Sequence, residues 1–184
     1  MRGNAVRIIG GKLRGKKITF PQASGVRPTS DRIRETVFNW LMHSIAGARC
    51  LDAFAGSGAL GIEAFSRGAK EIVFFEKSIV VAQHLKKICA TINLTSLQVM
   101  HGSAEKLLHS KLLPFDIIFF DPPFAEDALY KLITLIEQQH LLNPGGVLYV
   151  ESSRLITMNT NYWILKHYQH TATIHYAIYC HSNS

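Results

Sequence analysis

The sequence predicts an α/β fold: a mostly parallel seven-stranded sheet with helices on both faces, ending in an antiparallel strand pair and preceded by a short basic N-terminal hairpin and a helix. Three observations carry this prediction. Apolar runs bounded by turn residues alternate with helical segments from Arg49 to Glu151, the pattern of parallel strands joined by crossover helices. The last two runs, "NYWILKHYQH" and "TATIHYAIYC", leave almost no room between them, so they pair antiparallel. Near the start, "VRIIGGKLRGKKITF" interleaves cations, glycines and apolar residues as a hairpin does.

The elements follow in order. "RPTSDRIRETVFNWL" opens with Pro28 and the capping candidates Thr29, Ser30 and Asp31, after which Ile33, Val37, Trp40 and Leu41 recur at helical spacing. Then come strand "RCLDAF", a helix from Ala59 to Arg67, strand "EIVFFE", a helix from Ser78 to Ile92 and a strand at "LQVMH". A short helix from Ala104 to Leu108, strand "FDIIFFD", a helix from Glu126 to His140 and strand "GGVLYVE" complete the alternation. Continuous apolar runs such as Ile117 to Phe120 are expected of strands covered on both faces. Trp40, Phe74, Phe75 and Trp163 fall at core spacing. We divide the chain into a basic hairpin extension, 1–27, and a main domain, 28–184.

With 184 residues, 47% of them hydrophobic, the chain suffices for one well-buried core. No apolar run is long enough for a signal sequence or a bilayer span, so a cytoplasmic protein without membrane contact is expected. Cys50, Cys89 and Cys180 lack CxxC spacing and read as reduced, buried thiols. His167, His170, His175 and His181 match no zinc pattern, so no metal is expected. No serine-histidine or cysteine-histidine nucleophile stands out.

The net charge is +7, and its placement is informative. Up to Arg34 there are nine cations against Asp31 alone, a net +8; from Glu35 onward the balance is −1. Such concentration suggests a face for a polyanion, with Arg7, Lys12, Arg14, Lys16, Lys17, Arg27 and Arg34 as candidate contacts to it. Arg32 and Arg34 would equally serve as helix pairing partners.

The chemistry gathers at strand ends. "LDAFAGSGALG" runs from Asp52 into a turn with Gly56 and Gly58 before the next helix. Phe54 stands where a dinucleotide fingerprint has its first glycine, and no GK[ST] ending follows, so a nucleoside without phosphates is the better ligand; the same glycines would also serve a positive-φ turn. Glu76 ends the neighbouring strand about 20 positions on, where ribose hydroxyls can be accepted. "DPPF" then sets Asp121 and the Pro122 carbonyl as acceptors with no proline N–H beside them, and Phe124 offers a stacking face. Such a rim suits a planar exocyclic amine.

These residues resemble class I S-adenosylmethionine-dependent methyltransferases with a Rossmann-like fold. More narrowly, "RIIGGKLRGKKI", "RPTSDRIRETVFNWL", "LDAFAGSGALGIEAFSRGA" and "DPPF", in this order, resemble the RsmD family of bacterial 16S ribosomal RNA guanine-N2 methyltransferases. The resemblance implies methyl transfer from S-adenosylmethionine to a guanine 2-amino group in 16S ribosomal RNA, within a small-subunit particle and by a monomer. It implies Asp121, Pro122, Pro123 and Phe124 as catalytic residues. For the cofactor it implies Asp52, Phe54, Gly56, Ser57, Gly58 and Lys77, with Glu76 at the ribose. Ser103 and Ala104 would flank the adenine, where serine accepts more weakly than the aspartate common at that position. The segment around Arg27, Thr29 and Arg34 would cover the cofactor and guide RNA, with Thr29 counted among the cofactor contacts. Two other functions share the pattern: a DNA adenine or cytosine amino-methyltransferase, and a catalytically silent RNA-binding module.

Overall fold

A computed structural model of the chain describes residues 4–21, 29–92, 96–122 and 126–182. In chain order they form β1 (Asn4–Arg7), a 3-10 turn (Gly11–Leu13), β2 (Lys17–Phe20), α1 (Asp31–Trp40), β3 (Arg49–Asp52), α2 (Ala59–Ser66), β4 (Glu71–Glu76) and α3 (Ile79–Thr91). β5 (Leu97–His101), α4 (Ala104–Leu108), β6 (Phe115–Phe120), α5 (Glu126–Gln138), β7 (Leu142–Ser152), β8 (Trp163–His170) and β9 (His175–His181) complete the fold.

Seven strands form one sheet in the order β5-β4-β3-β6-β7-β9-β8. β3 to β7 run parallel, and β9 inserts between β7 and β8, antiparallel to both. The chain works outward from β3 to β5, then returns to lay β6 on the other side of β3. That reversal opens a crevice outside the carboxyl ends of β3 and β6, where sheets of this kind take ligands. β7 starts earlier than expected, at Leu142, and its register slips between Phe115↔Leu142 and Ile117↔Val147, where "NPGG" bulges the strand.

Alternation along the strands sorts the core into two layers. Cys50, Ile72, Phe74, Ile117, Phe119 and Tyr149 meet α1, α2 and α3 on one face. Leu51, Val73, Phe75, Ile118, Phe120 and Leu148 meet α4 and α5 on the other. Ser30, Ser78 and Ser103 cap α1, α3 and α4 by accepting from Ile33, Val81 and Lys106 amides, each worth about 1 kcal/mol. Trp40 stacks on Tyr176 and on His167, with ring centroids 5.5 and 5.1 Å apart. All three cysteines are free and buried, and burial pushes the Cys89 thiol up to about 11 and Cys50 further, so neither is a ready thiolate. Among the described residues no helix is long and apolar enough to cross a membrane.

All eight residues of α2, "ALGIEAFS", are buried. A helix buried all round needs cover on every side, and the β1–β2 hairpin supplies the outer cover. Val6, Ile8, Ile18 and Phe20 point inward from the hairpin, with Ile8 and Ile18 in the same core as the sheet. The approach is close: a Cβ on Gly11 would lie 1.8 Å from the Ser66 carbonyl oxygen, so only glycine fits. Leu13 N donates to Ser66 Oγ (2.9 Å), which donates to the Gly10 carbonyl (2.5 Å). The boundary expected at 27/28 falls outside the described residues, and hairpin and sheet share one core on either side of it.

One charge sits inside this seam. Glu63 accepts from Ile9 N and Gly10 N (both 2.8 Å), from Arg67 Nε (2.7 Å) and from Arg34 (3.3 Å). Arg34, 0% exposed, also donates to the Arg7 carbonyl (2.9 Å), the Thr29 carbonyl (3.3 Å) and Asp31 (2.6 Å). Arg34, expected among the RNA contacts, is thus buried, with its guanidinium engaged by four partners inside the protein. Replacing Arg34 by alanine should cost about 3–5 kcal/mol by urea unfolding, because Glu63 loses its fully buried cation and keeps only the partly exposed Arg67, while the Arg7 and Thr29 carbonyls lose their donor. A loss below about 1 kcal/mol, typical of an exposed pair, would contradict this account.

Candidate active site

Alternation along the parallel strands places four carboxyl groups on one side of the sheet. Asp52 is in register with Phe74 and with Phe119, and Phe119 with Tyr149. Two residues beyond Phe74, Phe119 and Tyr149 stand Glu76, Asp121 and Glu151. Asp52, Glu76, Asp121 and Glu151 thus rim the crevice where the strand order reverses, all on the face that carries α1 to α3.

Each is held differently. Gly58, the N-cap of α2, has no side chain to cap with and sits at φ +75°, and Gly56 at φ +49°; both need the left-handed backbone that glycine allows. Asp52 takes over the capping role, accepting from Gly61 N at 3.0 Å. Burial pushes Asp52 up to about 7 against the pull of that amide, and the charges of Asp121 and Glu76 add to the rise. Glu76 accepts from Gly56 N (2.9 Å) through one oxygen and from Ser78 N (2.7 Å) through the other. Each oxygen keeps a second lone pair. Asp121 accepts from Thr29 Oγ1 at 3.2 Å, and burial raises its pKa against that hydrogen bond.

The other expected residues fall around this rim. Phe54 lies edge-on to Phe120 with centroids 5.0 Å apart, and Ser57 is buried in the glycine turn. Lys77 is exposed, with its carbonyl 3.2 Å from His101 Nε2. Ala104 is buried at the start of α4, and the Ser103 hydroxyl is already engaged as that helix's cap. Thr29, expected on the cofactor, is nearly buried and spends its hydroxyl on Asp121. Pro122 is half-buried; Pro123, Phe124 and Arg27 lie outside the described residues. Among the described residues no group of three or more metal-ligating side chains occurs.

Two participants escaped the sequence reading. Glu151 is buried beside Tyr149, whose hydroxyl donates to it at 2.8 Å. Its signal was present, since "VLYVE" ends on a carboxylate as "VFFE" and "IIFFD" do. Glu63 carried a signal too: a lone carboxylate in an otherwise apolar helix needs a buried cation.

The hairpin's outer face is basic. Arg7, Lys12, Arg14, Lys16 and Lys17 are all exposed, while Val6, Ile8 and Ile18 alternate inward. Arg7 lies directly opposite Lys17 in the β1–β2 register. Like charges so placed repel, a strain that an anionic partner relieves. Lys12 Nζ also sits 3.3 Å above the Phe65 ring centroid.

A family model described as Conserved hypothetical protein 95 matches residues 6–180. The chain is 42% identical over 177 residues to the Ribosomal RNA small subunit methyltransferase D of Escherichia coli, covering 95% of this chain and 89% of that protein. To the protein of the same name from Haemophilus influenzae it is 40% identical over 181 residues, covering 95% and 93%. A solved structure described as putative methyltransferase yhhF from Escherichia coli superposes with a TM-score of 0.91 at 40% identity, covering 98% of this chain and 100% of that one.

Neutralising Lys12, Arg14, Lys16 and Lys17 together should weaken binding to a single-stranded RNA and flatten its salt dependence by about 3 in the slope of log K against log salt. Arg14, Lys16 and Lys17 are solvated, so stability should fall by no more than the Lys12–Phe65 cation–π contact, about 1 kcal/mol. An unchanged slope would place the polyanion elsewhere.

Proposed function

The chain belongs to the family described as conserved hypothetical protein 95, the RsmD family of ribosomal RNA small-subunit methyltransferases, and from that membership we propose that it methylates the exocyclic N2 amine of a guanine in 16S ribosomal RNA with S-adenosylmethionine as donor. The observation that carries the reading is Asp121: a carboxylate at the carboxyl end of β6, beside the β3/β6 reversal, held by Thr29 and followed by a residue with no N–H. We read the working unit as a cytoplasmic monomer acting on RNA within a small-subunit particle, with the basic hairpin face meeting phosphates.

The residues present fit S-adenosylmethionine. An acidic rim with no cation in its glycine turn suits a nucleoside that carries a positive charge in place of phosphates. Glu76 would accept the ribose hydroxyls through its spare lone pairs, the turn from Asp52 to Gly58 would hold the amino-acid portion, and Ala104 would flank the adenine. When bound, S-adenosylmethionine supplies an electrophilic methyl group on a sulfonium. The chain's own task is to hold an amine whose lone pair is delocalised into its ring. Asp121 and the Pro122 carbonyl accept its two N–H groups, which favours the more tetrahedral nitrogen of the transition state. As nitrogen gains positive charge it gives up one N–H proton, the bonding pair staying on nitrogen, and an Asp121 oxygen stands ready to take that proton. Thr29 keeps that carboxylate oriented, and Phe124 would stack on the extruded base.

Tritiated methyl transfer to 16S RNA and to DNA, followed by mass-spectrometric identification of the nucleoside, tests this function. N2-methylguanosine in RNA is expected. Label in DNA alone rejects it in favour of a DNA amino-methyltransferase, and RNA binding without any label favours a silent binding module.

Asp121→Ala should abolish measurable turnover, a loss of at least about 10²–10³-fold, while calorimetry shows S-adenosylmethionine affinity retained; a matching loss of that affinity would refute the assignment. The pH profile has a definite sign. Asp121 is raised to about 6 by burial, so it is protonated below that pH and unable to accept two-sidedly. Thus kcat/KM, which reports the free enzyme, should rise as pH increases through about 6 and level off above it. A profile flat between pH 5 and 8 would separate the rate from this carboxylate.

A further inference from the structure

Resting on the guanine reading above, we propose that Glu151 is a positioning and specificity residue, accepting the N1–H of the target guanine while Asp121 accepts from the adjacent N2 amine. Phe119 is in register with Tyr149 and Phe120 with Val150. Asp121 and Glu151 are therefore the next side chains along two neighbouring strands, on the same face of the sheet. Parallel strands lie about 4.8 Å apart, so two such tips can serve two neighbouring donors on one ring edge.

Glu151 is 7% exposed. Its Oε2 accepts from the Tyr149 hydroxyl at 2.8 Å, and among the described residues Oε1 accepts no hydrogen bond. A buried carboxylate oxygen without a donor calls for one. Tyr149 is itself fixed, fully buried and edge-on to Phe119, so the acceptor that it steadies has a defined place. Burial and the Asp121 charge both raise the pKa of Glu151, consistent with two carboxyl groups facing a common volume. A base edge bringing two donors relieves that crowding.

Among the common bases, guanine places a ring N–H next to an exocyclic amine. Adenine N1 and cytosine N3 carry lone pairs at the corresponding position and would face the Glu151 carboxylate acceptor to acceptor. Glu151 thus selects against the bases that also offer an amine, by an unpaired polar contact rather than by shape.

The test uses RNA, or a reconstituted particle, with guanine or 2-aminopurine at the mapped target. 2-Aminopurine keeps the N2 amine and lacks the N1–H; the carbonyl it also lacks is common to every enzyme compared. Glu151→Gln should lower kcat/KM on guanine by about tenfold or more, with S-adenosylmethionine affinity by calorimetry within about twofold of the parent. The preference for guanine over 2-aminopurine should shrink by about tenfold. Tyr149→Phe, which removes only the hydroxyl, should shrink the same preference, and it carries the test should Glu151→Gln fail to fold. A preference unchanged in the folded variants, with both substrates slowed equally, means that Glu151 serves the fold alone and overturns the proposal. Failure of the parent enzyme to methylate guanine RNA is a separate result: it overturns the guanine reading and this proposal with it.

Discussion

The ion pair between Arg34 and Glu63 is the constraint on which the rest of the structure depends. Taking two charges out of water costs several kcal/mol per ion, and only good geometry recovers it. Here Glu63 is met by two backbone amides and two guanidinium groups, and Arg34 by two carbonyls and two carboxylates. An apolar pair of the same volume would leave the Ile9 and Gly10 amides orphaned where the hairpin crosses α2. The pair thereby ties β1, α1 and α2 together at one point. Through the Thr29 carbonyl it also fixes the residue whose hydroxyl holds Asp121. The carboxyl end of β6 is thus referenced to the hairpin by a chain of hydrogen bonds.

The second constraint is what the carboxyl edge of the sheet withholds. Phosphate-binding turns use the exposed amides and positive end of a following helix. At the start of α2 that end is already met by Asp52, which accepts from Gly61 N. With Glu76 bound to Gly56 N, the glycine turn is ringed by carboxyl groups. An edge of this kind repels pyrophosphate and favours a cation bearing hydroxyls.

Much of the architecture was legible because local signals agreed with the tertiary outcome. The strand over Glu71–Glu76 and the helix over Ala104–Leu108 match their expected limits, since each apolar run ends where a charge or a capping serine begins. Asp52, Glu76 and Asp121 were legible as strand-end acids for the same reason. Arg34 was not, because its burial depends on Glu63, which lies in another helix and is brought near only by packing. Thr29 looked like a cap or a cofactor contact, and nothing local reveals a partner 92 positions away. The bulge in β7 was hidden as well: "NPGG" reads as a turn, and only the pairing with β6 draws it into the strand.

The hairpin is locked into the core with its cations turned outward, so the molecule carries a permanent electrical polarity along a fixed direction. In the field of a long anion such a body experiences a torque as well as a pull. It rotates before contact and meets the chain with one side leading, which raises the fraction of encounters that are productive. Because ions in solution blunt this field within about a Debye length, the advantage is greatest when the surrounding electrolyte is dilute.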